Sequence, residues 1–286
     1  MKGRKRDMQS KRSETNFIHT LARSAAETIA EGYYRDLGER RPASRGPLRS
    51  LKDSILRSKL TPLLAEIKFT SPAEGKLRAV GGVKKIARAY ERGGVSGISV
   101  LTEPRHFEGD IHYLRLVKGS VKVPVLMKDI IIDPVQIDAG AEMGADAVLF
   151  IASIFSDRLA NASLEEMFSH ARSRGLEVLF EAHTEKEYML ALESEADVVG
   201  INNRNLDTME VSLETSKSLL AKARGLREHL KAMGKDKPVI SESGINARRD
   251  ILELRELGAD GFLIGSALMK SSDIEAKVRS LTGASR

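Results

Sequence analysis

The sequence predicts a (β/α)8 TIM barrel with an N-terminal helical extension, and two observations carry this prediction. Eight short apolar runs alternate with longer amphipathic stretches, and a turn of small residues recurs about every fifty residues. Strands that alternate with helices indicate a parallel sheet, and eight such units close into a barrel. The chain has 286 residues, a length that suits a single barrel of this kind.

The first 60 residues precede the first predicted strand and form the extension. In TNFIHTLARSAAETIAEGYY the apolar residues recur near helical spacing, which predicts a helix opened by Thr15 or Asn16. The stretch PLRSLKDSIL predicts a second, shorter helix. We expect both helices to pack on the barrel of residues 61–286 within a single domain, and the first few residues to be disordered.

Short runs rich in β-branched and apolar residues predict the eight barrel strands. They cover residues 63–68, 98–102, 124–129, 147–153, 177–183, 198–203, 238–243 and 261–266. Helical patterns lie between them, among them VKKIARAYERGG, DPVQIDAGAEMG, SLEEMFSHARSRG and ARRDILELRELG. Several of these end in glycine, the usual residue for the left-handed C-cap of a helix.

A similar turn enters four of the strands, in GGVSGISV, MGADAVLF, SEADVVGI and LGADGFLI. The equivalent positions are Ser96, Asp146, Asp197 and Asp260, and the longer last interval contains the charged insert GLREHLKAMGKDK. A step of about fifty residues equals two βα units, so these are strands 2, 4, 6 and 8. An open doubly wound sheet is the alternative, but the sequence contains neither G-x-G-x-x-G nor a P-loop.

The composition of the chain limits the classes of function that the protein can have. The 46 basic and 40 acidic residues are spread along the chain, and only the first dozen residues form a basic run, so a charged surface is favoured over a nucleic-acid site. There is no cysteine, which excludes disulfides and thiolate sites. The apolar runs are too short to cross a bilayer, and no signal-type apolar region follows the N-terminus, so we expect a cytoplasmic protein.

In barrels of this kind the functional groups stand at the carboxyl ends of the strands. Glu66 and Lys68 both end strand 1 and share one face, because strand side chains alternate between faces. The other polar strand ends are Lys128, Glu181, Asn202 and Glu242, with Arg204 just beyond strand 6. Buried charges are costly unless they are paired or functional, so we expect these lysines and glutamates to pair and to tune one another for proton transfer.

The loops after strands 7 and 8 predict a phosphate site. The segments ESGI and IGSALM each place a glycine where backbone must approach a ligand closely, and Ser243 and Ser266 add hydroxyls. The segment HFEGDIH (106–112) places two histidines near two acidic residues, but no partner histidines stand at the other strand ends. A metal site is therefore disfavoured, and no metal is predicted. No G-x-S-x-G segment supports a serine nucleophile.

From about Leu64 to Met269 the chain resembles indole-3-glycerol phosphate synthase of tryptophan biosynthesis. The motifs that carry the resemblance are AEIKFTSP, IARAYERGGVSGISVLTEPRHFEG, VLMKD, FEAHTEKE, GINNRNL, ISESGI and FLIGSALM. The resemblance implies conversion of 1-(2-carboxyphenylamino)-1-deoxyribulose 5-phosphate to indole-3-glycerol phosphate, with release of CO2 and water and with no cofactor or metal. The expected partner is this phosphorylated small molecule, without nucleic acid or membrane, and the chain is expected to be a monomer or weak homo-oligomer.

The resemblance also implies roles for the residues that match its motifs. Lys128 matches the general acid that protonates the substrate carbonyl, and Glu181 matches the carboxylate of the later dehydration. Lys68 matches the second catalytic lysine, and Glu66 would pair with and orient a lysine; which lysine acts first is left open. The residues implied to bind substrate are Asn202, Arg204, Ser71, Pro72, Glu242, Ser243, Phe107, Leu149, Leu206 and Leu263, and those implied to bind phosphate are Gly244, Gly265 and Ser266.

Two positions depart from the family pattern. Ile130 follows Asp129 where the family often has phenylalanine, and Phe69 stands where a basic residue is common, which would weaken the outer electrostatics.

A phosphate-binding barrel such as phosphoribosylanthranilate isomerase would share the last two loops, but it would not need two lysines together with Glu181. A barrel kept as a binding subunit would usually lose these charged residues.

Overall fold

A computed structural model describes residues 17–38, 46–206 and 208–285, and within them eight parallel strands close into a barrel, which confirms the predicted fold class. The strands are β1 (Leu63–Ile67), β2 (Gly97–Leu101), β3 (Val125–Lys128), β4 (Ala147–Ile151), β5 (Glu177–Ala182), β6 (Val198–Asn202), β7 (Val239–Glu242) and β8 (Gly261–Ile264). Pairing of β1 with β8, with Leu64 opposite Leu263, closes the barrel. Each predicted strand ends one or two residues beyond the observed end, because the chain there leaves the sheet to form the loops of the mouth.

The described residues contain thirteen helices. They are α1 (Phe17–Ala30), α2 (Leu51–Leu56), α3 (Val83–Arg92), α4 (His112–Lys118), α5 (Pro134–Glu142), α6 (Ala152–Ser156), α7 (Leu164–Ser173), α8 (Glu185–Glu193), α9 (Glu214–Lys222), α10 (Arg224–Ala232), α11 (Arg248–Glu256), α12 (Ser266–Met269) and α13 (Ile274–Thr282). Gly144 (φ 93°) and Gly258 (φ 106°) follow α5 and α11 in the left-handed conformation, as the glycine pattern predicts. Across the described ranges, no helix is long and apolar enough to cross a membrane.

The recurring turn has a structural role at the amino ends of the strands. Its aspartates accept hydrogen bonds from a backbone N–H at the start of the preceding strand, in the pairs Asp146–Val125 (2.9 Å), Asp197–Val178 (2.9 Å) and Asp260–Val239 (2.7 Å). Each carboxylate thus joins the start of one strand to the turn that enters the next. The repeat in the sequence therefore reflects barrel assembly at the face opposite the mouth.

The extension covers one side of the mouth. Arg105, in the loop after β2, forms ion pairs of 2.6 Å with Glu27 of α1 and with Glu31, which directly follows α1. Tyr34, shortly after α1, donates a hydrogen bond of 3.0 Å to the buried carboxylate of Asp129. The predicted helix start at Thr15 or Asn16 and the expected disorder of the first residues lie outside the described residues, and the boundary at residue 60 stays a prediction.

Candidate active site

A cavity of about 570 Å³ opens at the carboxyl ends of the strands. It is lined by every residue that the sequence predicts for the site: Glu66, Lys68, Ser71, Pro72, Phe107, Lys128, Leu149, Glu181, Asn202, Arg204, Leu206, Glu242, Ser243, Gly244, Leu263, Gly265 and Ser266. The barrel therefore brings together residues that are spread over two hundred positions of the chain. Their roles toward a substrate remain predictions.

Lys128 lies at the centre of the charged part of this cavity. Its Nζ donates hydrogen bonds to Oε2 of Glu181 at 2.9 Å and to Oε2 of Glu242 at 3.0 Å. The three residues end β3, β5 and β7, and Glu66 ends β1, so the group comes from the alternate strands that share a layer in an eight-stranded barrel. Lys128 is thus held by two carboxylates at the floor of the cavity.

The charges of this layer determine its protonation. Burial disfavours the ammonium of Lys128, but Glu181, Glu242 and Glu66 outweigh burial and raise the pKa of Lys128 above its ordinary value. Burial likewise opposes ionisation of Glu181, but Lys128 and the amide of Asn202 hold its pKa below the usual range. At neutral pH Lys128 is therefore cationic and Glu181 anionic.

Glu242 behaves differently from Glu181. Burial, with the nearby charge of Glu181, raises the pKa of Glu242 to about 8 although Lys128 opposes the shift. Its Oε1 is buried and has no hydrogen-bond partner among the described residues, a position that suits a neutral carboxyl group better than an ionised one. The layer thus holds one ionised and one protonated glutamate around a single lysine.

Glu66 and Lys68 form a second pair, as strand alternation predicts. Oε1 of Glu66 lies 2.9 Å from Nζ of Lys68, and both side chains are largely buried. A Cβ atom on Gly265 would lie 2.5 Å from the same Oε1, so glycine at this position gives the carboxylate its room. Gly265 therefore has a packing role in addition to the predicted one at the phosphate site.

Asn202 and Arg204 make protein contacts that the sequence does not predict. The amide of Asn202 donates to Oε1 of Glu181 at 2.9 Å, and its oxygen accepts the backbone N–H of Arg204 at 2.9 Å. The guanidinium of Arg204 donates to the carbonyl of Met209 at 2.9 Å and lies 3.9 Å from the carboxylate of Glu74. Asn202 thus orients the glutamate of the charged layer as well as the loop that carries the arginine.

The loop after β7 has an unusual backbone at the predicted phosphate site. Ser243 (φ 68°) and Gly244 (φ 78°) are both left-handed, a conformation that is strained for serine. The buried Asn203, which sequence reasoning missed, supports the strain by donating to the carbonyl of Ser243 at 3.0 Å and to the hydroxyl of Ser241 at 2.9 Å. The motif GINNRNL gave the only signal, as a second asparagine beside Asn202.

The apolar wall of the cavity combines predicted and unpredicted side chains. Ile130, which departs from the family pattern, still contributes an aliphatic side chain to this wall. Phe17 and Leu21 of α1 complete the wall, which sequence reasoning missed because helical spacing alone does not say what a helix covers. The carboxylate of Glu103 accepts the backbone N–H of Phe107 at 3.0 Å and fixes the loop that carries this ring.

Phe69, the second departure from the family pattern, does not line the cavity. Its side chain is buried and packs edge-to-face against Tyr113 with ring centroids 5.9 Å apart. Phe69 lies beyond the end of β1, and its ring packs toward α4, which carries Tyr113. The effect of an uncharged residue here on the electrostatics of the mouth stays a prediction.

Asp129 connects the extension to the strand that carries Lys128. Its carboxylate accepts hydrogen bonds from the hydroxyls of Tyr34 (3.0 Å) and Thr102 (2.5 Å) and from the N–H of Ile130 (2.8 Å). Burial raises the pKa of Asp129 to about 7, against the effect of these donors. The group is therefore close to half-protonated at neutral pH.

The closed barrel, with its charged layer and its loops of glycine and serine at one mouth, defines a (β/α)8-barrel enzyme that acts on a phosphorylated small molecule. The family model described as indole-3-glycerol phosphate synthase matches residues 19–281. The chain belongs to this family, the carboxy-lyases of tryptophan biosynthesis. The alternative of a phosphoribosylanthranilate isomerase is not favoured.

Curated relatives agree with this assignment, and a solved structure agrees with the fold. The indole-3-glycerol phosphate synthase of Methanopyrus kandleri is 42% identical over 226 residues, which cover 78% of this chain and 84% of the relative. That of Aquifex aeolicus is 40% identical over 231 residues, 81% of this chain and 85% of the relative. A thiamine phosphate pyrophosphorylase from Pyrococcus furiosus has a TM-score of 0.56 at 17% identity, covers 79% of this chain and 95% of its own, and is similar in fold alone.

Proposed function

We propose that the chain converts 1-(2-carboxyphenylamino)-1-deoxyribulose 5-phosphate to indole-3-glycerol phosphate through the residues of the charged layer. The observation that carries this proposal is the position of Lys128, which lies 2.9 Å from Glu181 and 3.0 Å from Glu242. An ammonium held in this way is a proton donor with a fixed direction. The two carboxylates keep it charged without filling the cavity above it.

Ring closure is the step that needs such a donor. The ring carbon that bears the carboxylate attacks the ketone carbon, and the carbonyl oxygen becomes an alkoxide. Lys128 protonates this oxygen and stabilises the developing charge. Loss of CO2 then returns the electron pair of the broken carbon–carbon bond to the ring system.

Dehydration follows, and it needs groups that both take and give protons. The hydroxyl formed in the first step leaves as water, and a proton leaves the neighbouring carbon to complete the indole. Glu181 is ionised and is suited to remove that proton. Lys68, paired with Glu66, is the second lysine that can donate to the leaving oxygen.

The substrate is held by its two anionic ends. Arg204 suits the carboxylate through its planar fork, and the loops with Gly244, Gly265 and Ser266 suit the phosphate. Holding both ends brings the ring carbon close to the ketone, which lowers the entropic part of the barrier. A cytoplasmic location and a monomeric or weakly oligomeric state remain predictions from the sequence.

The test is turnover of the purified protein with the carboxyphenylamino substrate, followed by the fluorescence of the indole product in the presence of a chelator. We expect turnover without added metal, and an inactive protein that is folded would refute the proposal. Lys128→Ala should lower turnover by about 10²–10⁴-fold, the usual contribution of a general acid. Its melting temperature should fall, because Glu181 loses the cation that offsets its burial, so turnover is compared at a temperature at which both proteins are folded.

A further inference from the structure

Glu74 lies at the tip of a small hairpin that follows β1. The hairpin pairs Thr70 with Lys76 and Ser71 with Gly75, and it stands over the cavity. The carboxylate of Glu74 accepts hydrogen bonds from the hydroxyl of Ser266 at 2.6 Å and from Nζ of Lys270 at 2.5 Å. The carboxylate of Glu74 thus docks the hairpin on the segment after β8, next to Arg78, whose guanidinium donates to the carbonyls of Met269 and Ser271.

The donors that hold Glu74 are those that an oxyanion requires. Ser266 belongs to the proposed phosphate site, Lys270 follows α12, and the guanidinium of Arg204 lies 3.9 Å from the same carboxylate. Carboxylate and phosphate oxygens accept hydrogen bonds from the same charged and hydroxyl donors. Burial opposes ionisation of Glu74, but Lys270 and Ser266 outweigh it and hold its pKa below the usual range, so the group is anionic at neutral pH.

We propose that Glu74 sets the affinity of this crevice for phosphate, because its carboxylate competes with the phosphate group of the substrate for Ser266 and Lys270. The inference rests on the proposed function, which assigns the phosphate to this crevice. Phosphate and Glu74 cannot share the donors, and two anions this close repel each other. Binding of phosphate therefore displaces the carboxylate of Glu74 from Ser266 and Lys270.

The size of the effect follows from the population of the docked state. If Glu74 occupies the donors about nine-tenths of the time, the apparent dissociation constant for phosphate is raised about tenfold. Glu74→Gln removes the charge and keeps the shape, and Glu74→Asp keeps the charge and shortens the reach. Both variants should bind phosphate more tightly than the unchanged protein.

The experiment measures binding of inorganic phosphate by calorimetry, and its inhibition constant against the substrate, for the unchanged protein and both variants. Glu256→Gln is the matched control, since it removes one negative charge from the exposed surface of α11. We expect the dissociation constant to fall about threefold to tenfold in Glu74→Gln, less in Glu74→Asp, and not at all in the control. The KM for the substrate should fall in parallel.

Equal phosphate binding in Glu74→Gln would overturn the inference, because Glu74 would then have no effect on the affinity for phosphate. Weaker binding would also overturn it, because Glu74 would then contribute to the binding site. An equal fall in the Glu256→Gln control would also overturn it, since the effect would come from net charge. Turnover of the unchanged protein tests the proposed function separately from the role of Glu74. An active enzyme with unaltered phosphate binding in the variants retains the proposed function and loses only the role of Glu74.

Discussion

The side-chain amide of Asn202 donates a hydrogen bond of 2.9 Å to Oε1 of Glu181, while Lys128 donates to the other oxygen of the same carboxylate. Both oxygens of Glu181 are therefore held by donors, one from the neighbouring strand β6 and one from β3 across the layer. This arrangement orients the carboxylate and favours its ionised form. Asn202 thus acts on the site through Glu181 as well as through any contact with substrate.

Replacing Asn202 should change both the rate and its pH dependence. In Asn202→Ala the ionised form of Glu181 loses a donor, so its pKa rises and the acidic limb of the kcat profile moves to higher pH. Loss of orientation should lower kcat by about 10²-fold. Asn202→Asp should move the limb further, because it adds a negative charge beside Glu181. A fall in kcat with an unshifted pH profile would show that Asn202 does not act on Glu181.

Substitution of Asp129 should make stability less dependent on pH. The unfolded aspartate ionises near pH 3.9, whereas the folded group holds its proton up to about pH 7. Between these values the unfolded state loses protons first, so the contribution of Asp129 to the free energy of unfolding falls as pH rises. Asp129→Asn lacks this titration, and its stability relative to the unchanged protein should increase from about pH 4 to pH 7 and then level off.

Urea unfolding at four pH values across this range checks the prediction. Asp36→Asn, at an exposed position of the extension, is the control. A constant difference in stability between Asp129→Asn and the unchanged protein would contradict the raised pKa of Asp129. The prediction concerns folding only and needs no substrate.

Gly200 should not tolerate a methyl group. A Cβ atom there would lie 2.1 Å from Oε1 of Glu242 and 3.0 Å from a methyl of Leu179. Gly200→Ala should therefore move Glu242 away from Lys128, destabilise the protein by about 1–3 kcal/mol and lower kcat. Gly225→Ala is the matched control, because the helical Gly225 has no neighbour within 4 Å of such an atom and should be neutral or stabilising. Equal melting temperatures for the two variants would contradict the packing argument.

The aspartates of the repeated turn should affect stability and not chemistry. Asp146 is buried, accepts the N–H of Val125 and forms a 2.5 Å ion pair with the buried Lys118. Asp146→Ala should lower the free energy of unfolding by about 3–5 kcal/mol, the usual loss when one partner of a buried pair is removed. Asp53→Ala, which removes an exposed pair with Arg57, should cost at most about 1 kcal/mol. The kcat of folded Asp146→Ala should stay near that of the unchanged protein, and a large fall would show that this face influences the mouth.

The sequence alone determined the barrel, the eight strands and the charged side chains of the candidate site. Periodicity of two places Glu66 and Lys68 on one face, and a barrel brings all strand ends to one mouth, so the positions of these charged residues follow from local pattern and topology. These features depend on the alternation of side chains, which a sequence shows directly.

Tertiary structure decided which groups contact each other. Lys128 pairs with Glu181 and Glu242, and Lys68 with Glu66, because the stagger of the closed barrel sets the height of each strand end, which no single strand records. The unequal protonation of Glu181 and Glu242 depends on burial and on the shared lysine. The docking of Glu74 on Ser266 likewise joins residues 192 positions apart, and such contacts between loops follow from three-dimensional proximity alone.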